Sequence, residues 1–199
     1  AFFGGSAIAA FSQGLMLGGM IQGISVEGGA FAGGAFDWLT PFSLLVGISV
    51  IIGYLMLGAC WLVLKTEGEL FLRARKWARL ALAGVAICFL AVSLATLAID
   101  PSVGERWGFS MTQIDFARLL PLSPAPLAGM VFCAWLWRDL SLPIGPGDAP
   151  DWRPYLLAVA IFLSGYVGLG FSLYPYIVPF EFTIWEAAAR DNSLAFMLV

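Results

Sequence analysis

Carboxylates, cations and thiols are the groups in this chain that could move protons or hold ions, and the sequence contains no histidine. Without an imidazole these residues offer no His-ligated haem, no His-bound metal and no His general base. Any redox chemistry must then be carried by a partner or by an unusual ligand. No metal-ligand spacing, phosphate loop or nucleophile triad is present. No catalytic residue and no metal ligand is therefore expected here, and no cofactor-binding residue is assigned. Cys60, Cys88 and Cys133 fall in apolar runs and read as small packing residues, with no disulfide framework.

The acids sort into two groups. Glu27, Asp37, Asp100, Glu105, Asp115, Glu181, Glu186 and Asp191 fall toward one surface, and Glu67, Glu69, Asp139, Asp148 and Asp151 toward the other. No expected span carries a charge at its middle, where intramembrane acids mark proton and ion paths. That weighs against a proton-coupled transporter. Glu67 and Glu69 could load protons at a channel mouth, but helix capping and pairing with Lys65 and Arg73 is the simpler reading. Capping is preferred for Glu186 as well, and Trp185 reads as an interface anchor. Gln13 suits a helix–helix hydrogen bond better than a ligand contact. Arg138-Asp139 is either a local pair or a contact to a partner subunit.

The elements that position these groups follow from composition. The chain is 60% hydrophobic and 12% charged, with a mean hydropathy of +0.89, whereas soluble domains carry about 25% charged residues. Several apolar runs reach the roughly 20 residues that a spanning helix needs. The expected fold is an all-α, polytopic transmembrane bundle, residues 1–199 forming one integral membrane domain. It has about five complete spans and the start of a sixth. The net charge of −3 does not suggest a nucleic-acid partner. The chain begins inside an apolar run and stops as another begins, so a fragment of a longer subunit is expected. No basic region precedes Phe2, so a signal peptide is not expected.

The first span covers Phe2 to Ile21, with Gly14-x-x-x-Gly18 and Gly19-x-x-x-Gly23 at the spacing that lets helices approach closely. After a Gly-rich loop to Leu39, Thr40-Pro41 opens the second span with an N-cap and a first-turn proline. Thr66-Glu67-Gly68-Glu69 fits a capping box in which Thr66 opens a new helix and Glu69 reaches back. That helix starts at the membrane surface and becomes the third span, Trp77 to Ile99, stopped by Asp100-Pro101. Met111 to Leu120 suits a short interfacial helix. The fourth span is expected over Pro126 to Leu142, followed by a loop over Pro143 to Pro154. The fifth covers Tyr155 to Tyr174 and is ended by Pro175 and Pro179. Thr183-Ile184-Trp185-Glu186 repeats the capping-box pattern and predicts a short helix through Ala189, and a sixth span starts from Ser193. Basic residues set the orientation: Lys65, Arg73, Arg75, Lys76, Arg79, Arg138 and Arg153 on one side against Arg106, Arg118 and Arg190 on the other. The richer side, with the Lys65–Arg79 connection, is expected to be cytoplasmic.

Three blocks carry a likeness to a known family. They are GYLMLGACWLVLKTEGEL from Gly53 followed by RAR from Arg73, FDWLTPFSLLVG from Phe36, and SLYPYIVPFEFTIWEAAA from Ser172. In order and spacing they resemble subunit II of the cytochrome bd-type quinol oxidases, the cyanide-insensitive branch in particular. The resemblance runs along the whole chain and matches the C-terminal portion of the family's subunit. It implies a subunit of a terminal oxidase in the bacterial cytoplasmic (inner) membrane. Such an enzyme oxidises quinol, reduces dioxygen to water and takes protons from the cytoplasmic side. It also implies that haem b and haem d lie in a partner, subunit I, with the quinol-oxidising loop, and that this chain binds no haem but stabilises that partner. Membrane lipid and quinol are the other expected associates. The family's N-terminal portion, with its intramembrane acids, is absent here, so no catalytic residue is carried over. Phe180-Glu181-Phe182 departs from the family's usual, less acidic stretch. A secondary transporter or permease, or a purely structural membrane protein, is the alternative.

Overall fold

Hydrocarbon offers backbone amides no hydrogen-bond partner, so apolar runs of this length must satisfy themselves as helices. The computed structural model describes residues 2–23, 25–28, 30–99, 124–143, 151–179 and 182–188. They form α1 (Phe2–Gln22), β1 (Val26–Glu27), β2 (Ala30–Phe31), α2 (Pro41–Lys65), α3 (Gly68–Ile99), α4 (Pro124–Ser141), α5 (Arg153–Leu173), β3 (Tyr176–Val178) and β4 (Phe182–Thr183). By length and composition, three stretches could each cross a membrane: Pro41–Lys65, Gly68–Thr96 and Arg153–Phe171. The fold is an all-α membrane bundle with two small ribbons on its connections.

Helix ends are set by local chemistry. Gly23, at φ 87°, ends α1, and its N–H donates to Met20 O at 3.1 Å. The Gly-rich loop holds a ribbon that periodicity did not predict, β1 pairing antiparallel with β2. Thr40 is the N-cap of α2: its hydroxyl accepts from the Ser43 N–H at 3.0 Å, and the Ser43 hydroxyl accepts from the Thr40 N–H at 2.9 Å. Ser43 thus plays the part that Glu or Gln takes in the usual capping box.

The junction after α2 corrects the expected role of Thr66. Thr66 closes α2: both its backbone N–H and its hydroxyl donate to Leu62 O, at 2.9 and 2.7 Å. A threonine hydroxyl can serve the carbonyl four residues back as well as the N–H three ahead; at the end of a long helix the orphan carbonyls claimed it. The helix break is where it was expected, and α3 starts at Gly68, whose φ of 63° suits glycine. Glu69 does not reach back; it pairs with Arg73 at 3.3 Å, one turn on.

α3 runs unbroken through both its surface turns and its apolar stretch. α4 begins two residues before the expected start, at Pro124. α5 stops at Leu173, ahead of Pro175, and β3 and β4 follow as a hairpin. The short helix expected through Ala189 is a correction: residues 184–186 form a turn, closed by Ala187 N–H donating to Thr183 O at 3.1 Å. The capping bonds are made without a helix after them. The Asp100-Pro101 stop, the Met111–Leu120 helix, Phe180-Glu181 and the run from Ser193 lie outside the described residues.

α2, α3, α4 and α5 form a ring in which each packs on the next and α5 returns to α2, while α1 lies outside on α2. Gly14 and Gly18 make that last contact. A Cβ on Gly14 would stand 2.5 Å from the Gly47 Cα, and one on Gly18 the same distance from the Ser43 Cα. Gln13 does reach across, accepting from the Tyr54 hydroxyl at 3.3 Å. The ring's core draws on every member: Met56 and Cys60, Ala78 and Leu82, Leu136 and Leu140, Ala158 and Ile161. These residues cluster at the end of the bundle that carries Lys65, Arg75 and Arg153. Toward the opposite end Ile87, Leu94, Met130 and Phe171 are exposed. The bundle is closed at one end and apolar outside at the other.

The α1–α2 contact predicts a sharp difference between two glycines. Gly18→Leu is expected to lose about 1–3 kcal/mol through overpacking. Gly58→Ala, facing open space, should gain roughly 0.5–1 kcal/mol from helix propensity. Thermal unfolding of both variants in detergent checks this; equal midpoints would show that the helices do not touch there.

Candidate functional site

The basic segment after α2 builds the most organised polar region among the described residues. Because α3 starts so soon after α2 and antiparallel α4 returns beside it, Arg75 meets the C-terminal end of α4. Its Nη2 donates to Asp139 O and Leu142 O, both at 2.9 Å. A helix C-terminus leaves carbonyls without partners and carries partial negative charge, so a guanidinium there satisfies both needs. The Arg75 guanidinium also lies over the Phe71 ring at 5.8 Å. One turn on, Arg79 lies over Trp137 at 5.3 Å, and across the bundle Lys65 lies over Trp61 at the same distance. Trp61 in turn meets Tyr155 edge-on at 5.1 Å. Cations capped by aromatic rings are common at the water–hydrocarbon boundary of membrane helices. These contacts gather at one end of α2, α3, α4 and α5.

Arg138 and Asp139 do not form the local pair considered from sequence; among the described residues the ion pair is Arg73–Glu69, and Asp139 Oδ2 is buried without a partner. Glu67 and Glu69 lie on the surface, at the α2–α3 junction and the first turn of α3. Sequence reasoning assigned Arg75 to topology alone. Its role as a clasp on α4 depends on two elements far apart in the chain, and only the basic character of the segment hinted at it.

At the other end, the hairpin after α5 folds back so that Trp185 meets Tyr174 edge-on at 6.0 Å. The Thr183 N–H and hydroxyl both donate to Glu186 Oε2 at 2.8 Å, and the Glu186 N–H donates to Thr183 Oγ1 at 3.3 Å. These bonds, the backbone one foremost, hold the Glu186 carboxyl below the usual carboxylate range. The third block thus closes in a compact turn after α5. In the block from Phe36, the Trp38 carbonyl accepts from the fully buried Ser43 hydroxyl at 2.7 Å, and the Thr40 hydroxyl donates to Gln22 Oε1. Loop, α1 and α2 are knotted together there.

Whether a haem would fit these residues is answered by their packing. Among the described residues no three His, Cys, Asp or Glu side chains gather as metal ligands. Met56 and Cys60, the sulfur side chains deepest in the bundle, are fully buried among Ala78, Leu82, Leu136 and their neighbours. Their packing leaves no room for a macrocycle beside them. All three sequence blocks therefore serve as structure, in the core and at the two ends of the bundle. The sequence profile of cytochrome bd terminal oxidase subunit II matches residues 1–199. The chain belongs to the cytochrome bd terminal oxidase subunit II family. A comparison with curated proteins finds no match.

Two outcomes follow from this geometry. Arg75→Met should cost about 1.5–3 kcal/mol, the range for a charged hydrogen bond, and should loosen α4 from α3, read by hydrogen exchange at the end of α4. The Glu186 contribution has a definite sign. Its carboxyl is depressed in the fold, so the turn is stabilised fully above the unfolded value of about 4.3. That stabilisation is lost as pH falls through the lower folded value. Trp185 emission, taken as a difference from Trp185→Phe, should change at the acid end in the wild type and stay flat in Glu186→Gln.

Proposed function

We propose that this chain is the haem-free subunit II of a bacterial quinol:dioxygen oxidoreductase, and that it stabilises a haem-bearing subunit I. The observation that carries the reading is the family match over residues 1–199. The absence of histidine from the sequence and the close-packed surroundings of Met56 and Cys60 support it, because both leave haem b and haem d to the partner. Quinol oxidation and dioxygen reduction then take place on that partner, and this chain is not catalytic by itself. The exposed apolar sides of α3, α4 and α5 suit burial against lipid and a partner subunit.

In this reading all five described helices cross the bacterial inner membrane. α1 and α4 are the less apolar crossings, diluted by Gly4, Gly5, Ser6 and Gln13 in one and by Arg138 and Asp139 in the other. The end carrying Lys65, Arg73, Arg75, Lys76, Arg79, Arg138 and Arg153 faces the cytoplasm, as the positive-inside rule requires. A permease site built on discontinuous helices has less support, since α2, α3 and α5 are unbroken along their lengths.

The test is purification of the complete subunit, tagged, from native membranes under gentle solubilisation. A haem-bearing partner with d-type absorbance and quinol-driven oxygen uptake should come with it. A subunit that purifies alone, with neither absorbance nor oxygen uptake, would overturn the assignment.

A further inference from the structure

The α3–α4 face that Arg75 clasps also forms a groove of about 600 Å³ at the membrane boundary. Its walls are Arg75, Lys76 and Arg79 at one end, Leu80 and Ala83 beyond them on α3, and Trp137 on α4. Lys76, Arg79, Leu80 and Ala83 recur at helical spacing, so they form one stripe. Among the described residues three cations line the groove and no carboxylate does. Beyond Arg79 the α3 sequence carries no charge through Ile99. The lining thus changes from cationic to apolar along the direction in which a membrane changes from headgroup to hydrocarbon.

We propose that this groove binds an anionic phospholipid, its phosphate against Lys76 and Arg79 and an acyl chain along Leu80 and Ala83. Trp137 holds the Arg79 guanidinium from one face, which leaves its N–H edge to meet phosphate oxygens. Arg75 adds field while its Nη2 serves the α4 carbonyls, so the site rests on Lys76 and Arg79. A volume of this size suits a headgroup with the upper part of one chain. Basic pockets between membrane helices favour anionic headgroups. A neutral quinol would gain nothing from the cations, and a free phosphate ion nothing from the apolar stripe. The inference goes beyond the oxidase reading and does not depend on it.

The test uses the complete subunit in whatever complex it forms, stripped of lipid and titrated with phosphatidylglycerol or phosphatidylcholine of identical chains. Native mass spectrometry counts the bound lipid, and the absorbance of the same sample reports the oxidase assignment separately. The anionic lipid is expected to be retained at least about fivefold over the zwitterionic one, the order set by one surface cation. Lys76→Gln with Arg79→Gln should bring the two lipids close to parity, while Arg73→Gln, outside the groove, should leave the preference unchanged. Ala83→Trp, which fills the apolar part and keeps every charge, should lower retention of the anionic lipid and provides a test if the double variant does not fold. Equal retention of the two lipids by the wild type would overturn the proposal. So would equal loss in Arg73→Gln, or displacement of the lipid by inorganic phosphate at the same concentration.

Discussion

Lipid tails are as apolar as leucine, so helices inside a bilayer gain nothing by hiding apolar side chains from their surroundings. Contact itself has to hold them together. This constraint explains the placing of small residues in the bundle. Gly14 and Gly18 bring α1 onto the backbone of α2. Gly53 makes room for Phe162 of α5, and Gly84 for Ile52 of α2. Large side chains fill the core where all four ring helices meet, around Met56, Leu82 and Leu136.

Polar contacts do their work at the edges, where water can receive whatever the protein leaves unpaired. Arg75 on the α4 carbonyls, Arg79 on Trp137 and Lys65 on Trp61 fasten one end. The knot of Gln22, Thr40, Ser43 and Trp38 fastens α1 to the start of α2 at the other. Between these levels the helices depend on shape, apart from the Tyr54–Gln13 hydrogen bond. Both ends of the bundle are pinned while the outer flanks of α3 to α5 stay apolar.

Local chemistry was legible in the sequence wherever one segment contained both partners. The Thr40 cap, the glycine spacing of α1, the Glu69–Arg73 pair and the helix stop before Pro175 each involve residues within a few positions of one another. Thr66 was misread because its hydroxyl had two local acceptors or donors to choose from, and sequence does not rank them. The ribbons at Val26–Phe31 and Tyr176–Thr183 were missed since strands of two or three residues have no periodicity to detect. The clasp of Arg75 and the partnerless Asp139 oxygen depend on where α4 ends in space. The family likeness was readable from the three blocks, but their structural duties were not.

The short link at Thr66 and Glu67 has a consequence for biogenesis. Because Thr66 is drawn back onto Leu62, the path from Lys65 to Gly68 is three Cα steps, roughly 11 Å at full stretch. Packed helix axes lie about 8–10 Å apart. Once both helices exist, they have nowhere to go except against each other. In the proposed orientation a link this short has α2 and α3 enter the bilayer as a single hairpin, with the basic residues that follow the turn held back on the cytoplasmic side. The connection that divides the two helices also makes them the unit on which later spans assemble.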